Sequence, residues 1–242
     1  MFNKYIKMKI KNTKYFKDFC YDIGLNEVFS KNNNSKMVDQ KTEQPSLKNK
    51  PKNKIQKLED LKKIILESDC SLKRSATNMV FSSGNPMSEI MVIGEAPGSE
   101  EDRTSIPFVG AAGKLLDQML NSINLKRDND YYVTNVIFWR PPGNRTPNKD
   151  EIEICLPFVR KHIEIIDPKL IILLGNVAIK SLLSTNKGVT EVRREKNFIL
   201  VNGKRINCFA MFHPAFLLRN GNMKKDSWID LCKISKWIND RR

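Results

Sequence analysis

Four stretches of this sequence end an apolar run in polar residues that can bind or move charge. The first, VIGEAPGSEEDRTSIPFVG at residues 92–110, sets Glu95 and Glu101 around a Pro-Gly step and closes with Phe108 in a Pro-Phe-Val-Gly turn. The second is Asn135 inside YYVTNVIFW (131–139), followed by RPPGNRTP (140–147). The third is GNVA (175–178), and the fourth is HPAFLLRN (213–220), which opens on His213. A carboxylate can orient water or stabilise a nearby cation, a carboxamide both donates and accepts, and an imidazole can offer a hydrogen bond to a developing anion. Each also has a plainer reading. Glu101 and Asp102 suit the start of a helical turn, a lone Asn often builds a turn, and most phenylalanines belong to the core. His162, the other histidine, falls within a helical pattern, which leaves His213 as the histidine in a loop.

What would position these residues is an alternation of strands and helices. IQKLEDLKKIILES (55–68) has helical spacing, EIMVIGEA (89–96) reads as a buried strand, and VGAAGKLLDQMLNSI (109–123) reads as a helix with Leu115, Leu116, Met119 and Leu120 on one side. YYVTNVIFW is then a strand, KDEIEICLPFVRKHIEII (149–166) a helix, KLIILLG (169–175) a strand, NVAIKSLL (176–183) a helix and INCFAMFH (206–213) a last strand before a C-terminal helix. Asn148 and Glu151 have the spacing of a capping box. Continuous apolar strands such as Ile171 to Leu174 indicate a parallel sheet covered on both faces. The fold class is α/β: a three-layer α/β/α sandwich with a central, mainly parallel, four-stranded sheet. Ligands of such sheets collect beyond the carboxyl ends of the strands, where all four polar loops should converge.

Composition narrows the partners. Lys and Arg outnumber Asp and Glu by 42 to 27, a formal charge of +15, which favours a polyanion such as nucleic acid, although a general Lys bias would give the same count. The five cysteines (Cys20, Cys70, Cys155, Cys208, Cys232) are odd in number and irregular in spacing, as expected of reduced thiols in a cytoplasm rather than a secreted disulfide framework. No apolar stretch is long enough to span a bilayer, so no membrane partner is expected. Residues 1–54 form a basic extension, largely Asn, Lys, Ser and Pro from residue 30 onward, with a short helical pattern at 15–29. Such a segment has too little apolar surface to offset its ordering entropy and is expected to be largely disordered. Residues 55–242 are expected to form the folded domain.

GEAPGSEED with PFVGAAGKLLD, then TNV with RPPGNRTP, then HPAFLLR, in this order, resemble the family-4 uracil-DNA glycosylases over residues 70–242. The resemblance implies hydrolysis of the N-glycosidic bond of uracil in DNA, leaving an abasic site, by a monomeric, bacterial, nucleoid-associated enzyme. It implies a flipped uracil stacked on Phe108, paired through Asn135 and bordered by Gly94, Ala96, Pro97 and Gly98. His213 would stabilise the leaving anion, while Glu95 and Glu101 would orient water or stabilise the sugar cation. Ala96 stands where family 1 enzymes carry a water-orienting Asp, so a strong base is missing there. Leu217 or Leu218 would wedge into the stack, with Arg219, Lys224 and Lys225 on the flanking phosphates and Arg140, Asn144 and Arg145 on the backbone.

One departure concerns the cofactor. The family holds a [4Fe-4S] cluster on four cysteines, of which this chain retains Cys70 and Cys155. Glu67 and Trp139 stand at the other two positions, so no metal and no cluster are expected. Two rival readings remain open on sequence. A covalently trapping relative would carry a Lys-Arg-Arg-Ile-His insertion, whereas EVRREKNF (191–198) has no His. GEAPG would also suit a phosphate-binding or nucleic-acid-binding α/β module.

Overall fold

The computed structural model describes residues 50–241, with side chains from residue 53. The basic extension and its helical pattern at 15–29 lie outside the described residues. The described chain divides between Asp69 and Cys70 into two units. The first contains helix α1 (Lys50–Glu67), whose buried positions Leu58, Leu61 and Ile65 recur at helical spacing. It begins five residues before the helix expected from periodicity.

In the second unit a six-stranded sheet runs in the order β1-β3-β2-β4-β6-β5. Its strands are β1 (Ser83–Gly84), β2 (Ile90–Gly94), β3 (Tyr132–Asn135), β4 (Leu170–Leu174), β5 (Asn197–Val201) and β6 (Lys204–Met211). The inner four, β3, β2, β4 and β6, pair in parallel. The four-stranded expectation is therefore corrected: β1 and β5 add an antiparallel strand at each edge. Two residues of β1 are too short for a periodic pattern. β5 alternates exposed Phe198 and Leu200 with buried Ile199, and it joins β6 through Asn202 and Gly203, both at positive φ. Asn-Gly between apolar runs is the hairpin signal that would have located it.

Every residue of β2, β3 and β4 is buried. Successive strand side chains point to opposite faces, so both faces of this central part are covered. One core joins Val92, Val133, Ile172 and Met211 of the sheet to Leu116 and Leu120 of α3 (Ala111–Asn121) and Leu231 and Ile234 of α9 (Lys224–Asn239). Further α-helices among the described residues are α2 (Ser99–Thr104), α4 (Arg127–Asp130), α5 (Lys149–Ile166), α6 (Gly175–Leu183), α7 (Val189–Val192) and α8 (Pro214–Arg219). The capping box of α5 is present: Asn148 Oδ1 accepts from Glu151 N–H, and Glu151 accepts from Asn148 N–H.

Parallel register makes the strands end together. Gly94 faces Asn135 across β2 and β3, and Leu174 faces Met211 across β4 and β6. The four polar loops thus leave the sheet at one edge.

Candidate active site

A cleft of about 760 Å³ opens at that edge, lined from all four loops. Asn135, 1% exposed at the end of β3, contributes a carboxamide whose Oδ1 is buried without a hydrogen-bond partner among the described residues. Neighbouring Gly94 leaves room for it. A Cβ at residue 94 would lie 2.5 Å from Asn135 Oδ1 and would collide with the Phe108 ring. Gly94 is therefore the gap that lets amide and ring approach the same space, rather than a lining residue.

Phe108 lines the cleft and is 6% exposed. Its φ of 55° is a left-handed conformation that a bulky residue adopts only under constraint. Part of that constraint comes from Glu101, whose buried carboxylate takes three backbone N–H groups. Oε1 accepts from Val109 and Gly110 at 3.0 and 2.9 Å, and Oε2 accepts from Gly98 at 3.1 Å. Glu101, which also lines the cleft, thus ties the loop together. Glu95 is different: it lines the cleft half-buried, its side chain has no protein partner among the described residues, and burial raises its pKa. Ala96, Pro97 and Gly98 line the same wall.

His213 caps α8, with Ala215 N–H donating to Nδ1 at 3.2 Å. That bond requires Nδ1 to be unprotonated, so the neutral ring carries its hydrogen on Nε2. Nε2 is buried without a partner among the described residues. Burial first, then the charge of Arg219, lowers the His213 pKa to about 4 against a small opposing influence from Glu101. The ring lies 5.8 Å from Phe108, centroid to centroid. Phe212 stacks on Phe216 at 5.2 Å, and both line the cleft. Behind Phe212 lies the guanidinium of buried Arg193, bonded to Asp230 at 2.7 Å and Asp226 at 2.9 Å.

The rim contains the basic residues. Arg140 Nε donates to Asn144 Oδ1 at 2.7 Å, and Arg145 forms a two-point pair with Glu151 at 2.6 and 2.9 Å. Asn144, Arg145 and Arg219 line the cleft; Lys224 is exposed at the start of α9, outside the lining. The adjacent leucines part company. Leu217 is fully buried, which removes it as a DNA wedge and makes it a core residue, whereas Leu218 is 50% exposed. Helix α8 turns consecutive side chains by about 100°, so a loop reading could not separate them.

Comparison with known proteins matches residues 81–232 to the family model of the uracil DNA glycosylase superfamily. A type-4 uracil-DNA glycosylase of Sulfurisphaera tokodaii is 42% identical over 73% of this chain and 83% of its own length. Type-4 enzymes of Archaeoglobus fulgidus and Thermotoga maritima are 37% and 39% identical, over 75% and 67% of this chain and 94% and 85% of theirs. The chain belongs to the type-4 uracil-DNA glycosylases.

Among uracil-DNA glycosylase residues that the sequence left unassigned, Asn176, Thr190, Phe212 and Phe216 also line the cleft. Asn176 Oδ1 accepts from Val189 N–H at 2.9 Å and so ties the start of α7 to the first turn of α6, directly after β4. The position of GNVA after a strand could have indicated Asn176. Thr190 has no comparable local signal.

Among the described residues, the thiols do not form the four-cysteine set of the family's iron-sulfur cluster. Cys70 and Cys155 are buried and share a hydrogen bond, which lowers the pKa of Cys70 and raises that of Cys155. Trp139 is buried edge-on to Phe138 at 6.3 Å. Cys208 is held in β6, where it donates to Ile206 O, and Cys232 is exposed on α9. No group of three or more His, Cys, Asp or Glu side chains able to hold a metal occurs among the described residues. Two thiols cannot supply a four-thiolate cage.

Proposed function

We propose that this protein excises uracil from DNA by hydrolysing its N-glycosidic bond, releasing uracil and leaving an abasic site for base excision repair. The observation that carries this reading is one pairing. Asn135 Oδ1 and His213 Nε2, both buried and without protein partners among the described residues, border a single cleft with Phe108. Buried polar atoms ordinarily find partners, so these two are arranged for a ligand that supplies them.

A uracil flipped out of the duplex meets those requirements. Its face stacks on Phe108, its N3–H donates to Asn135 Oδ1, and its O4 accepts from the same carboxamide. Its O2 accepts from His213 Nε2–H. As the C1′–N1 bond breaks, its electron pair moves onto the uracil ring, and the neutral imidazole stabilises the charge growing on O2. The sugar becomes cationic at C1′, where the Glu95 carboxylate stabilises it and orients the attacking water. The water oxygen bonds C1′, and its proton passes to solvent or to the uracil anion. Glu101 acts at a distance, by holding the Phe108 loop. Leu218 enters the stack left by the flipped base, with Arg219, Lys224, Lys225, Arg140, Asn144 and Arg145 on the backbone.

We propose that the enzyme works without a cluster: Glu67 and Trp139 stand at two of the four positions that the family fills with cysteine, and no step above needs one. No described helix is long and apolar enough to cross a membrane. Free thiols at Cys70, Cys155, Cys208 and Cys232 support a reducing cytoplasm, and we propose a monomer acting on nucleoid DNA.

A single-turnover assay on uracil-containing oligonucleotides, with thymine and hypoxanthine comparators, tests the reading. Alkali-labile abasic product is the expected result. A denaturant-resistant adduct would point to covalent trapping, and binding without either product would point to a recognition module.

A further inference from the structure

Arg127 lies outside the cleft, at the first position of α4, with its side chain 14% exposed. Its guanidinium nevertheless reaches the backbone beneath the cleft. Nη1 donates to Pro107 O at 2.9 Å and Nη2 donates to Phe108 O at 2.9 Å. Nε and Nη2 also donate to Asp117 Oδ1, at 3.0 and 2.7 Å. Tyr131, fully buried, donates its hydroxyl to the same oxygen at 2.6 Å. Burial and the neighbouring Asp117 raise the Tyr131 pKa, so the phenol remains a donor at neutral pH.

We propose that Arg127, held by Asp117 and Tyr131, is a positioning residue that fixes the uracil-stacking face of Phe108. The inference rests on Phe108 being the floor of the uracil pocket. At φ 55° Phe108 is in a conformation it would leave if free to do so. Three constraints prevent this. Arg127 holds the carbonyls of residues 107 and 108, and Glu101 holds the amides of residues 109 and 110. On α3, Gly113 lets the helix approach the Phe108 carbonyl so closely that a Cβ would overlap it. Asp117 follows Gly113 by four residues and so lies on the same face of that helix, one turn on. The turn is thus gripped through donors on one side and acceptors on the other. Two aligned bonds from one rigid fork define an orientation that a single cation on a flexible stem cannot.

Removing the fork should let the turn relax and swing the ring away from Asn135 and His213. Displacements near 1 Å at a reacting group cost on the order of 100-fold in rate. Single-turnover excision is therefore measured for Arg127→Met, Arg127→Lys, Phe108→Ala and the double variant Phe108→Ala/Arg127→Met, each normalised to folded protein, together with inhibition by free uracil. Arg127→Met is expected to lower excision about 10- to 100-fold and to weaken uracil inhibition, with Arg127→Lys intermediate. In the Phe108→Ala background the same substitution is expected to change the rate by no more than about twofold, because the group through which Arg127 acts is gone.

Wild-type excision by folded Arg127→Met beside an impaired Phe108→Ala would overturn the proposal, as would fully additive losses. Wild-type excision by Phe108→Ala would instead remove the stacking role of Phe108, a separate failure. If Arg127→Met does not fold, Arg127→Lys in both backgrounds gives the same comparison.

Discussion

His213→Ala removes the Nε2–H on which the proposed leaving-group chemistry depends. The magnitude follows from where that atom sits. Nε2 is buried, and Ala215 N–H occupies Nδ1, so the donor is preorganised and loses little to solvent competition. Loss of one such donor costs on the order of 10²- to 10³-fold in the chemical step. The pH profile provides a second measure. With the His213 pKa lowered to about 4, pH 7 lies three units above it, and about one molecule in a thousand carries imidazolium. Protonation would also set two N–H groups, those of Nδ1 and Ala215, against each other. Excision is therefore expected to show no His213-dependent limb between pH 8 and pH 5, and to lose the neutral donor only below that range. Rapid-quench single-turnover rates for wild type and His213→Ala across pH 4–8, with circular dichroism at each pH, check this. Unaltered rates in the folded variant would remove His213 from the mechanism. A limb near pH 6.5 that vanishes in the variant would show that imidazolium, not imidazole, acts on the leaving group.

Adjacent leucines should behave oppositely. Leu217→Ala is expected to destabilise the fold by about 2–5 kcal/mol, lowering Tm by roughly 5–15 °C, whereas Leu218→Ala should stay within about 0.5 kcal/mol of wild type yet weaken excision from duplex DNA; thermal melts and duplex assays of both would expose a reversed assignment. His162 is fully buried, with Tyr132 Oη 2.8 Å from Nε2 and Nδ1 without a partner among the described residues, and burial lowers its pKa to about 3. The unfolded chain then binds more protons between the ordinary histidine value near 6.5 and about 3, so stability is expected to fall as pH drops through that window. Urea titrations should show a smaller acid loss in His162→Gln, and an equal loss would place the acid-sensitive group elsewhere. Protein isolated without oxygen is expected to contain far less than one cluster per chain, and Trp139→Ala to lower Tm more than it alters the rate per folded molecule. Stoichiometric iron and sulfide would overturn the first expectation, and an unchanged Tm the second.

Much of this site is legible along the chain because it is built where local patterns break. Apolar runs that stop at or just past Gly94, Leu174 and Met211 mark strand ends, and a parallel sheet must bring such ends to one edge, whereas the run through Asn135 continues to Trp139, four residues past the end of β3. Helix α5 spans the same residues as its periodicity indicates, since Asn148 and Glu151 cap it locally. Edge strands are harder to read, because two residues of β1 carry no period and β5 is half exposed. What sequence could not assign depends on direction in space. Glu95 and Glu101 are equivalent as letters and both line the cleft, but only the fold engages Glu101 with the amides of residues 98, 109 and 110 and leaves the Glu95 side chain without a protein partner among the described residues. Leu217 and Leu218 differ by a rotation about a six-residue helix. Arg127 shows no sign of function in sequence, because its role comes from bonds to carbonyls 19 and 20 residues earlier. Sequence determines which groups are available and the elements that carry them. Which of those groups are already satisfied by the protein, and which are left for a ligand, is decided by tertiary packing, because desolvation and hydrogen-bond geometry exist only once distant segments have met.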